Sequence, residues 1–218
     1  WQYWLASGDD DFIAGPGAEI LFETARFWAS RGERGDDGRC HIRRVIGPDE
    51  YHEGVDDDAY TNEMARWNLE RAAELASIAA RRWPDRLRDL AARIDLDGAE
   101  IAAWSAVARD VYSSLDPATR VYEQFRGYFG LEEIDLAAFE PRAAPIDAII
   151  GHARTLGSQV VKQADVVLLL HLLADRIPRE VADACFRYYE PRTAHGSSLS
   201  PPAHAIVAAR LGLLDLAE

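Results

Sequence analysis

Residues 60–84 read YTNEMARWNLERAAELASIAARRWP, and this stretch decides the fold class. It is rich in Ala, Glu, Arg and Leu, which have a high intrinsic propensity for the α-helix. It ends at Pro84, and a proline stops a helix because its ring removes one backbone donor and clashes with the preceding turn. The stretch therefore predicts one long helix, from about Tyr60 to Trp83.

Two further segments show the one-sided apolar pattern of a helix that packs on a core. In residues 16–31 the pattern is the stripe Ile20, Thr24, Phe27 and Trp28. Asp97, with Glu100 three residues later, resembles a capping box at a helix start. The face that follows it consists of Ile101, Trp104, Ala108, Val111 and Tyr112.

The C-terminal half is also predicted to be helical. The helices are expected over three segments: Ser158 to about Asp175, Pro178 to about Tyr189, and Ser200 to about Leu214. No Val/Ile/Thr run alternates at period two as a strand would, and no linker rich in Pro, Gly or Ser divides the chain. The predicted fold class is all-α, with residues 1–218 forming part of a single domain.

Composition excludes several classes of function. The chain has 24 basic and 37 acidic side chains, a formal net charge of −13, which does not suit a general binder of nucleic acid. No apolar run reaches the roughly 18 residues that a membrane span needs. Cys40 and Cys185 are too few for a disulfide framework and suggest a reducing cytoplasm. Because Trp1 opens in mid-domain sequence, we expect the chain to be a piece of a longer protein.

A loop rich in acids and tyrosines precedes the long helix. It contains Gly47-Pro48-Asp49-Glu50-Tyr51-His52-Glu53, followed by Asp56, Asp57 and Asp58. One interpretation is a solvated acidic turn in which Asp58 or Thr61 caps the next helix. The other is a sugar site, because carboxylates bind sugar hydroxyls and one carboxylic acid among others can keep its proton.

Two later segments also have alternative interpretations. Lys162-Gln163 is expected in the first turns of the helix after Ser158, where a lysine commonly extends its ammonium group to solvent. Residues 188–200 read YYEPRTAHGSSLS. This segment is either an ordinary loop with Ser200 as a helix cap or an anion-binding cradle, because backbone N–H groups at a helix start point towards an anion.

Other chemistries find little support in the sequence. Ser197 and His195 lack the strand-turn-helix setting of a nucleophile elbow. The histidines His41, His52, His171 and His204 show no metal-ligand spacing. The residues therefore predict no metal site.

Taken together, six segments resemble one family. In chain order they are WQYWLASGDDDFI, GAEILFETARFWASR, IGPDEYHEGVDDDAYTNEMARWNL, YEQFRGYFGLEEID, VVKQADVVLLLHLL and YYEPRTAHGSSLSPPAHAIVAARLG. They resemble glycoside hydrolase family 65, the inverting disaccharide phosphorylases that act on maltose, trehalose, kojibiose and related α-glucosides. The resemblance implies the second half of an (α/α)6 toroid. The family's N-terminal β-sandwich, the first half of its toroid and its C-terminal β-domain are expected to lie outside this chain.

The resemblance also implies roles for individual residues. Glu50, in the family's Pro-Asp-Glu-Tyr motif, is expected to be the general acid, with Asp49, Tyr51 and His52 binding substrate beside it. Lys162 and Gln163 are expected to bind the glucosyl unit. The expected phosphate site is His195, Gly196, Ser197 and Ser198, where hydroxyls, backbone N–H groups and an imidazolium would suit the anion. One departure is Asp56-Asp57-Asp58, where the family usually has Asp-Asn-Asn.

The function that the resemblance implies is inverting phosphorolysis of an α-glucosyl disaccharide. Inorganic phosphate is a co-substrate that replaces water as the nucleophile, so no second catalytic carboxylate is needed, and the resemblance implies no metal and no organic cofactor. The first alternative is an inverting, trehalase-like hydrolase, which requires a carboxylate base roughly 6.5–9.5 Å from the acid. The second is a helical carbohydrate-binding fragment without catalysis. The expected partners are the disaccharide and phosphate, with a homodimer in the full-length protein and neither nucleic acid nor membrane.

Overall fold

The computed structural model describes residues 1–217 and is built mainly of helices, so the all-α prediction is confirmed. The chain folds into two compact units. The first unit contains Trp1–His41 and Asn62–Tyr112. The second contains Ile42–Thr61 and the chain from Ser113 onward.

The first unit is made of helices and one short strand pair. Its elements are α1 (Gln2–Ser7), α2 (Asp10–Ile13), α3 (Pro16–Arg31), β1 (Glu33–Arg34), β2 (Cys40–His41), α4 (Ala59–Arg82, of which the part from Asn62 lies in this unit), α5 (Pro84–Ile94) and α6 (Gly98–Asp110). The strands are antiparallel, with Glu33 opposite His41. The long helix is thus confirmed, and Pro84 occupies the first turn of α5, where a missing N–H is harmless.

Helix α3 turns a different face to the core than its apolar stripe predicts. Ile20 and Phe27 are exposed, whereas Leu21, Phe22 and Ala25 are buried. Both sets recur at helical spacing, so the pattern alone does not show which one meets the rest of the unit. The start of α6 is as predicted, because the Asp97 side chain accepts a hydrogen bond of 2.7 Å from the Glu100 N–H.

The second unit carries the predicted site segments. Its elements are β3 (Leu115–Asp116), β4 (Val121–Tyr122), α7 (Ile146–Ile150), α8 (His152–Leu156), α9 (Val166–Leu172), α10 (Arg179–Tyr189) and α11 (Ser200–Leu211). The strands pair antiparallel, with Leu115 opposite Tyr122. Helices α9, α10 and α11 pack around a core that includes Tyr128, Leu170 and Phe186.

The helix predicted from Ser158 begins later, at Val166, so Lys162 and Gln163 are not helical. Residues 158–165, called the extended segment below, instead form isolated β-bridges at Ser158 and Val161, with bends between and after them. Within it Val161 donates its N–H to the Arg192 carbonyl at 2.9 Å and accepts from the Ala194 N–H at 2.7 Å. These tertiary backbone bonds replace the bonds that a helix would supply.

A small apolar cluster lies under the predicted site segments. It contains the buried side chains Tyr51, Leu136, Ile146, Val160 and Ala194. These residues come from the acid loop, the long loop before α7, α7 itself, the extended segment and the loop before α11. Their burial holds these stretches of chain against one another. No helix within residues 1–217 is long and apolar enough to cross a membrane.

Replacing Trp104 tests the core of the first unit. Its indole is fully buried, lies 5.6 Å from the Phe22 ring between centroids, and its N–H finds no hydrogen-bond partner within residues 1–217. We expect Trp104→Ala to lower the free energy of unfolding by about 3–5 kcal/mol. Trp104→Phe should cost much less, because it keeps a packed ring and removes the unpaired donor. Thermal unfolding of both variants measures this, and equal losses would contradict it.

Candidate active site

The acid loop, residues 46–54, is closed at its base by backbone pairing. Val45 and Val55 exchange two N–H to carbonyl hydrogen bonds of 2.9 Å. Inside the loop Gly47 has a φ of +74°, a conformation that favours glycine. A Cβ at this position would lie 2.7 Å from Asp58 Oδ2 and 3.0 Å from Asp165 Oδ2, closer than packing permits. The loop therefore needs glycine here for both its backbone conformation and its packing.

Asp49 is fully buried and accepts four hydrogen bonds. Its Oδ1 accepts from the N–H groups of Tyr51 at 3.2 Å and Lys162 at 2.9 Å. Its Oδ2 lies 2.6 Å from His52 Nδ1 and accepts from Gln124 Nε2 at 2.9 Å. A buried carboxylate is tolerated when its lone pairs are satisfied in this way. Asp49 thus ties the acid loop to the extended segment that contains Lys162.

His52 extends the same connection. Its Nε2 lies 3.0 Å from the Ser158 carbonyl, and its ring packs 4.9 Å from the Phe125 ring. Asp49, His52, Asp57 and Asp58 are all buried, so the interpretation of this stretch as a solvated acidic turn is wrong. One part of that interpretation is confirmed, because Asp58 accepts the Thr61 N–H at 2.7 Å at the start of α4.

Glu50 is an exposed carboxylate of the loop, with 57% of its side chain accessible. It forms an ion pair with the Lys162 ammonium group, which comes from the extended segment. Gln163 donates its side-chain amide to the Pro48 carbonyl at 2.6 Å. The Lys-Gln pair therefore faces the acid loop, but from an extended segment instead of the predicted helix.

The third predicted segment, residues 188–200, contacts the site through Lys162. The Gly196 N–H donates to the Lys162 carbonyl at 2.7 Å, and a Cβ on Gly196 would lie 3.2 Å from Lys162 Cγ. His195 has a left-handed φ of +51°, which costs a non-glycine residue roughly 1 kcal/mol and is typical of functional sites. The structure thus brings together all three segments that the sequence singles out.

His195 is held from both sides. Its Nδ1 lies 3.0 Å from Ser200 Oγ, which also accepts the Ala164 N–H at 3.0 Å. Its ring meets the His204 ring edge-on at 4.7 Å. Burial lowers the pKa of His195, and the positive charge of Arg142 lowers it further. Both effects favour the neutral imidazole over the imidazolium at this position.

An open cavity of about 380 Å³ lies beside these residues. Its polar lining includes Tyr51, Arg142, His195, Gly196, Ser197 and Ser198. The Tyr51 hydroxyl donates to Asp147 Oδ1 at 3.1 Å, and burial followed by this carboxylate raises the pKa of Tyr51 to about 12. Arg142 is not among the residues predicted from the sequence, since it lies in the long loop before α7 and belongs to no motif there.

Two more buried acids lie next to the loop. Asp165 Oδ2 accepts the Asp49 N–H at 3.0 Å, while Asp165 Oδ1 and Asp58 Oδ2 find no partner within residues 1–217. Burial raises the pKa of Asp58 to about 6. Burial, and then the charges of Asp58 and Asp49, raise the pKa of Asp165 well above its usual range. Asp165 is also absent from the predicted site, and its only signal in the sequence is an acid placed directly before an apolar helix.

No group of His, Cys, Asp and Glu side chains within the described residues is arranged to hold a metal ion. The polar groups around the acid loop and the cavity instead suit a ligand with hydroxyls and an anion. Carboxylate and amide groups bind hydroxyls, and guanidinium, ammonium and hydroxyl groups bind phosphate.

Comparison with known proteins gives the family. The model of the glycosyl hydrolase family 65 central catalytic domain matches residues 1–218. The chain is 38% identical over 214 residues to a kojibiose phosphorylase of Caldanaerobacter subterraneus subsp. tengcongensis, covering 97% of this chain and 28% of that protein. It is 37% identical over 217 residues to an alpha,alpha-trehalose phosphorylase of Geobacillus stearothermophilus, covering 99% and 28%.

A solved structure agrees. A putative kojibiose phosphorylase from the human microbiome superposes with a TM-score of 0.86 at 29% identity, over 97% of this chain and 31% of that one. The chain belongs to glycosyl hydrolase family 65 and lies within its central catalytic domain. An (α/α)6 domain is consistent with this match. The chain spans about 28% of the length of the curated relatives it matches.

The raised pKa of Asp58 predicts a pH dependence of stability. The folded state binds this proton more tightly than the unfolded chain, whose carboxyl has a pKa near 3.8. The resulting stabilisation is complete below about pH 4 and is lost as the pH rises through about 6. Asp58→Asn cannot ionise and keeps an acceptor for the Thr61 N–H. We therefore expect the Tm of this variant minus that of the wild type to rise between pH 4 and pH 6.

Thermal unfolding of the full-length protein across this range measures the difference. Glu53→Gln is the matched control, because it removes an exposed carboxylate from the same loop. Its Tm difference from the wild type should stay constant. A flat difference for Asp58→Asn as well would refute the prediction.

Proposed function

We propose that this chain is the catalytic part of an inverting phosphorylase that splits an α-glucosyl disaccharide. The products are β-glucose 1-phosphate and a free sugar. The observation that carries the proposal is the junction of Glu50 and Lys162 with the segment 195–198 through the Gly196 N–H to Lys162 carbonyl bond. The proposed proton donor, a cation and a set of hydrogen-bond donors for an anion thus lie on adjoining stretches of one site.

In the proposed reaction Glu50 carries a proton and gives it to the glycosidic oxygen. A phosphate oxygen attacks the anomeric carbon from the opposite face, and the bond from that carbon to the leaving sugar breaks. The configuration at the anomeric carbon is inverted, as in an inverting hydrolase in which water is replaced by phosphate. Glu50 is left as a carboxylate and regains a proton from solvent before the next turnover.

The surrounding residues support these steps in different ways. We assign Asp49 and His52 to positioning, because both are buried and their polar atoms are engaged within the protein. Asp49 holds the loop on either side of Glu50, so the acid keeps one orientation towards the sugar. Lys162 and Gln163 are proposed to bind the glucosyl unit, which requires that the Lys162 ammonium group exchange part of its contact with Glu50 for substrate.

The segment 195–198 is proposed to bind the attacking phosphate. A neutral His195 that accepts the Ser200 hydroxyl proton at Nδ1 presents an N–H at Nε2. Ser197 and Ser198 add hydroxyl donors at the same cavity. This cavity has donors that suit a multiply charged anion, and an activated water would not need them. The arrangement therefore favours phosphorolysis over hydrolysis.

The proposed reaction is tested by its dependence on phosphate. The full-length protein is incubated with kojibiose, trehalose, maltose and nigerose, each with and without inorganic phosphate, and glucose 1-phosphate and free glucose are assayed. We expect glucose 1-phosphate from one of these sugars only when phosphate is present, which also identifies the linkage. Two free sugars at equal rates with and without phosphate would identify a hydrolase, and no product would leave carbohydrate binding as the function.

The role of Glu50 is tested by Glu50→Gln in the full-length protein. The amide cannot donate an acid proton, so we expect kcat to fall by at least about 100-fold. The Kd of the disaccharide, measured by calorimetry, should change little because the shape of the side chain is kept. Glu53→Gln is the control, since Glu53 is an exposed glutamate of the same loop and should keep full activity. Near-normal turnover by Glu50→Gln would remove Glu50 from the acid role.

A further inference from the structure

Among the described residues, Arg142 is the one guanidinium that lines the cavity next to the segment 195–198. It belongs to the loop between a short 3-10 turn, Leu136–Phe139, and helix α7. Only 19% of its side chain is accessible. An arginine withdrawn from water to this extent must recover its hydration energy through partners in the protein or in a ligand.

The partners of Arg142 within residues 1–217 leave part of the guanidinium uncommitted. Its Nε donates to Glu140 Oε1 at 2.7 Å, and its Nη2 donates to the Ala194 carbonyl at 3.1 Å. Its Nη1 makes no hydrogen bond to the described residues. Because Glu140 is about half exposed, solvent screens its charge and the carboxylate offsets the guanidinium only in part. A planar guanidinium with free N–H groups is suited to an oxyanion.

The hydrogen bond to the Ala194 carbonyl positions the guanidinium of Arg142. Ala194 directly precedes His195, so the bond from Nη2 places Arg142 at the same end of the cavity as the imidazole. The charge of Arg142 is felt by that ring, since it contributes to the lowered pKa of His195. Arg142 therefore brings a positive charge to this side of the cavity, where burial disfavours the charged form of His195.

A purely structural role explains these contacts less well. A hydrogen bond that only fastened the loop to the Ala194 carbonyl would need one neutral donor. An asparagine or glutamine in the loop would supply that donor at a lower desolvation cost. The guanidinium instead carries a full charge and unused donors at a cavity that also presents Ser197, Ser198 and the Gly196 backbone.

We infer that Arg142 binds a phosphate group in this cavity and determines its affinity. The inference rests on the proposed function of the site, which it deepens by adding a residue outside the family motifs. Two ligands carry such a group, namely free phosphate that attacks the sugar and a sugar that bears a phosphoryl group itself. Free phosphate is the expected source, because the cavity adjoins the ion pair of Glu50 with Lys162.

The test is a pair of variants, Arg142→Ala and Arg142→Lys, in the full-length protein. We expect Arg142→Ala to raise the KM for phosphate by about 10- to 100-fold, the loss expected for a charge-assisted hydrogen bond. The KM for the disaccharide and the kcat at saturating phosphate should stay within about threefold. Arg142→Lys keeps the charge without the planar fork and should fall in between. Arg154→Ala is the matched control, because Arg154 forms an exposed ion pair with Glu132.

The outcomes separate the two sources and the structural role. If the KM rises only for a disaccharide 6-phosphate, the bound group belongs to the sugar and the inference holds for that source. If the KM values for all substrates rise together and the Tm falls, the role of Arg142 is purely structural and the inference is overturned. Unchanged KM values for both phosphate sources would overturn it as well.

A binding measurement separates this inference from the proposed function. Inorganic phosphate alone is titrated calorimetrically into the wild type and into Arg142→Ala. Weaker binding of phosphate by the variant supports the inference even if no disaccharide in the panel is cleaved. The absence of cleavage would contradict only the proposed function. Equal binding of phosphate by both proteins, in an enzyme that performs phosphorolysis, would overturn the inference and leave the function standing.

Discussion

The buried carboxylate of Asp49 is the constraint on which the rest of the site depends. Its two oxygens satisfy donors from Tyr51, His52, Gln124 and Lys162, which lie up to 113 residues away along the chain. A carboxylate removed from water is stable only while such partners stay in place, and the loss of one would leave charge uncompensated. The same bonds therefore hold the acid loop and the extended segment in a single register. Glu50, the next residue, extends towards solvent from a backbone that cannot shift without breaking them.

The electrostatics of the site follow from this burial. Asp165 accepts the Asp49 N–H, and burial followed by the charges of Asp58 and Asp49 raises the pKa of Asp165, which disfavours a second bare charge beside the first. On the side of the site that is open to solvent, the groups that suit an anion are Lys162, Arg142 and the hydroxyls of residues 197 and 198. A chain with a net charge of −13 can therefore present a local surface suited to phosphate. Anion binding depends on the local potential and the donors, and the net charge does not decide it.

Much of the local structure follows from short-range signals. Pro16, Pro84 and Asp97 each mark a helix start, because a missing N–H or a side-chain acceptor suits the first turn. The same reasoning fails for residues 158–165, which are not helical and whose backbone pairs with residues 192–194 through Val161 instead. It also fails for the buried face of α3, since two apolar stripes satisfy one period. In both cases the observed structure depends on contacts with segments that are distant in the sequence.

From the amino-acid sequence one can predict the helical class, most helix boundaries, and the family to which the motifs around Glu50, Lys162 and His195 point. Those properties reside in residue types and spacings within a few turns of chain, where propensity and capping act. The folded structure is needed to see that Asp49 and His52 are buried, that Asp165 lies against the acid loop, and that Arg142 lines the cavity. Each of these depends on desolvation by segments distant in sequence, and desolvation is a property of the folded packing, which no local pattern encodes.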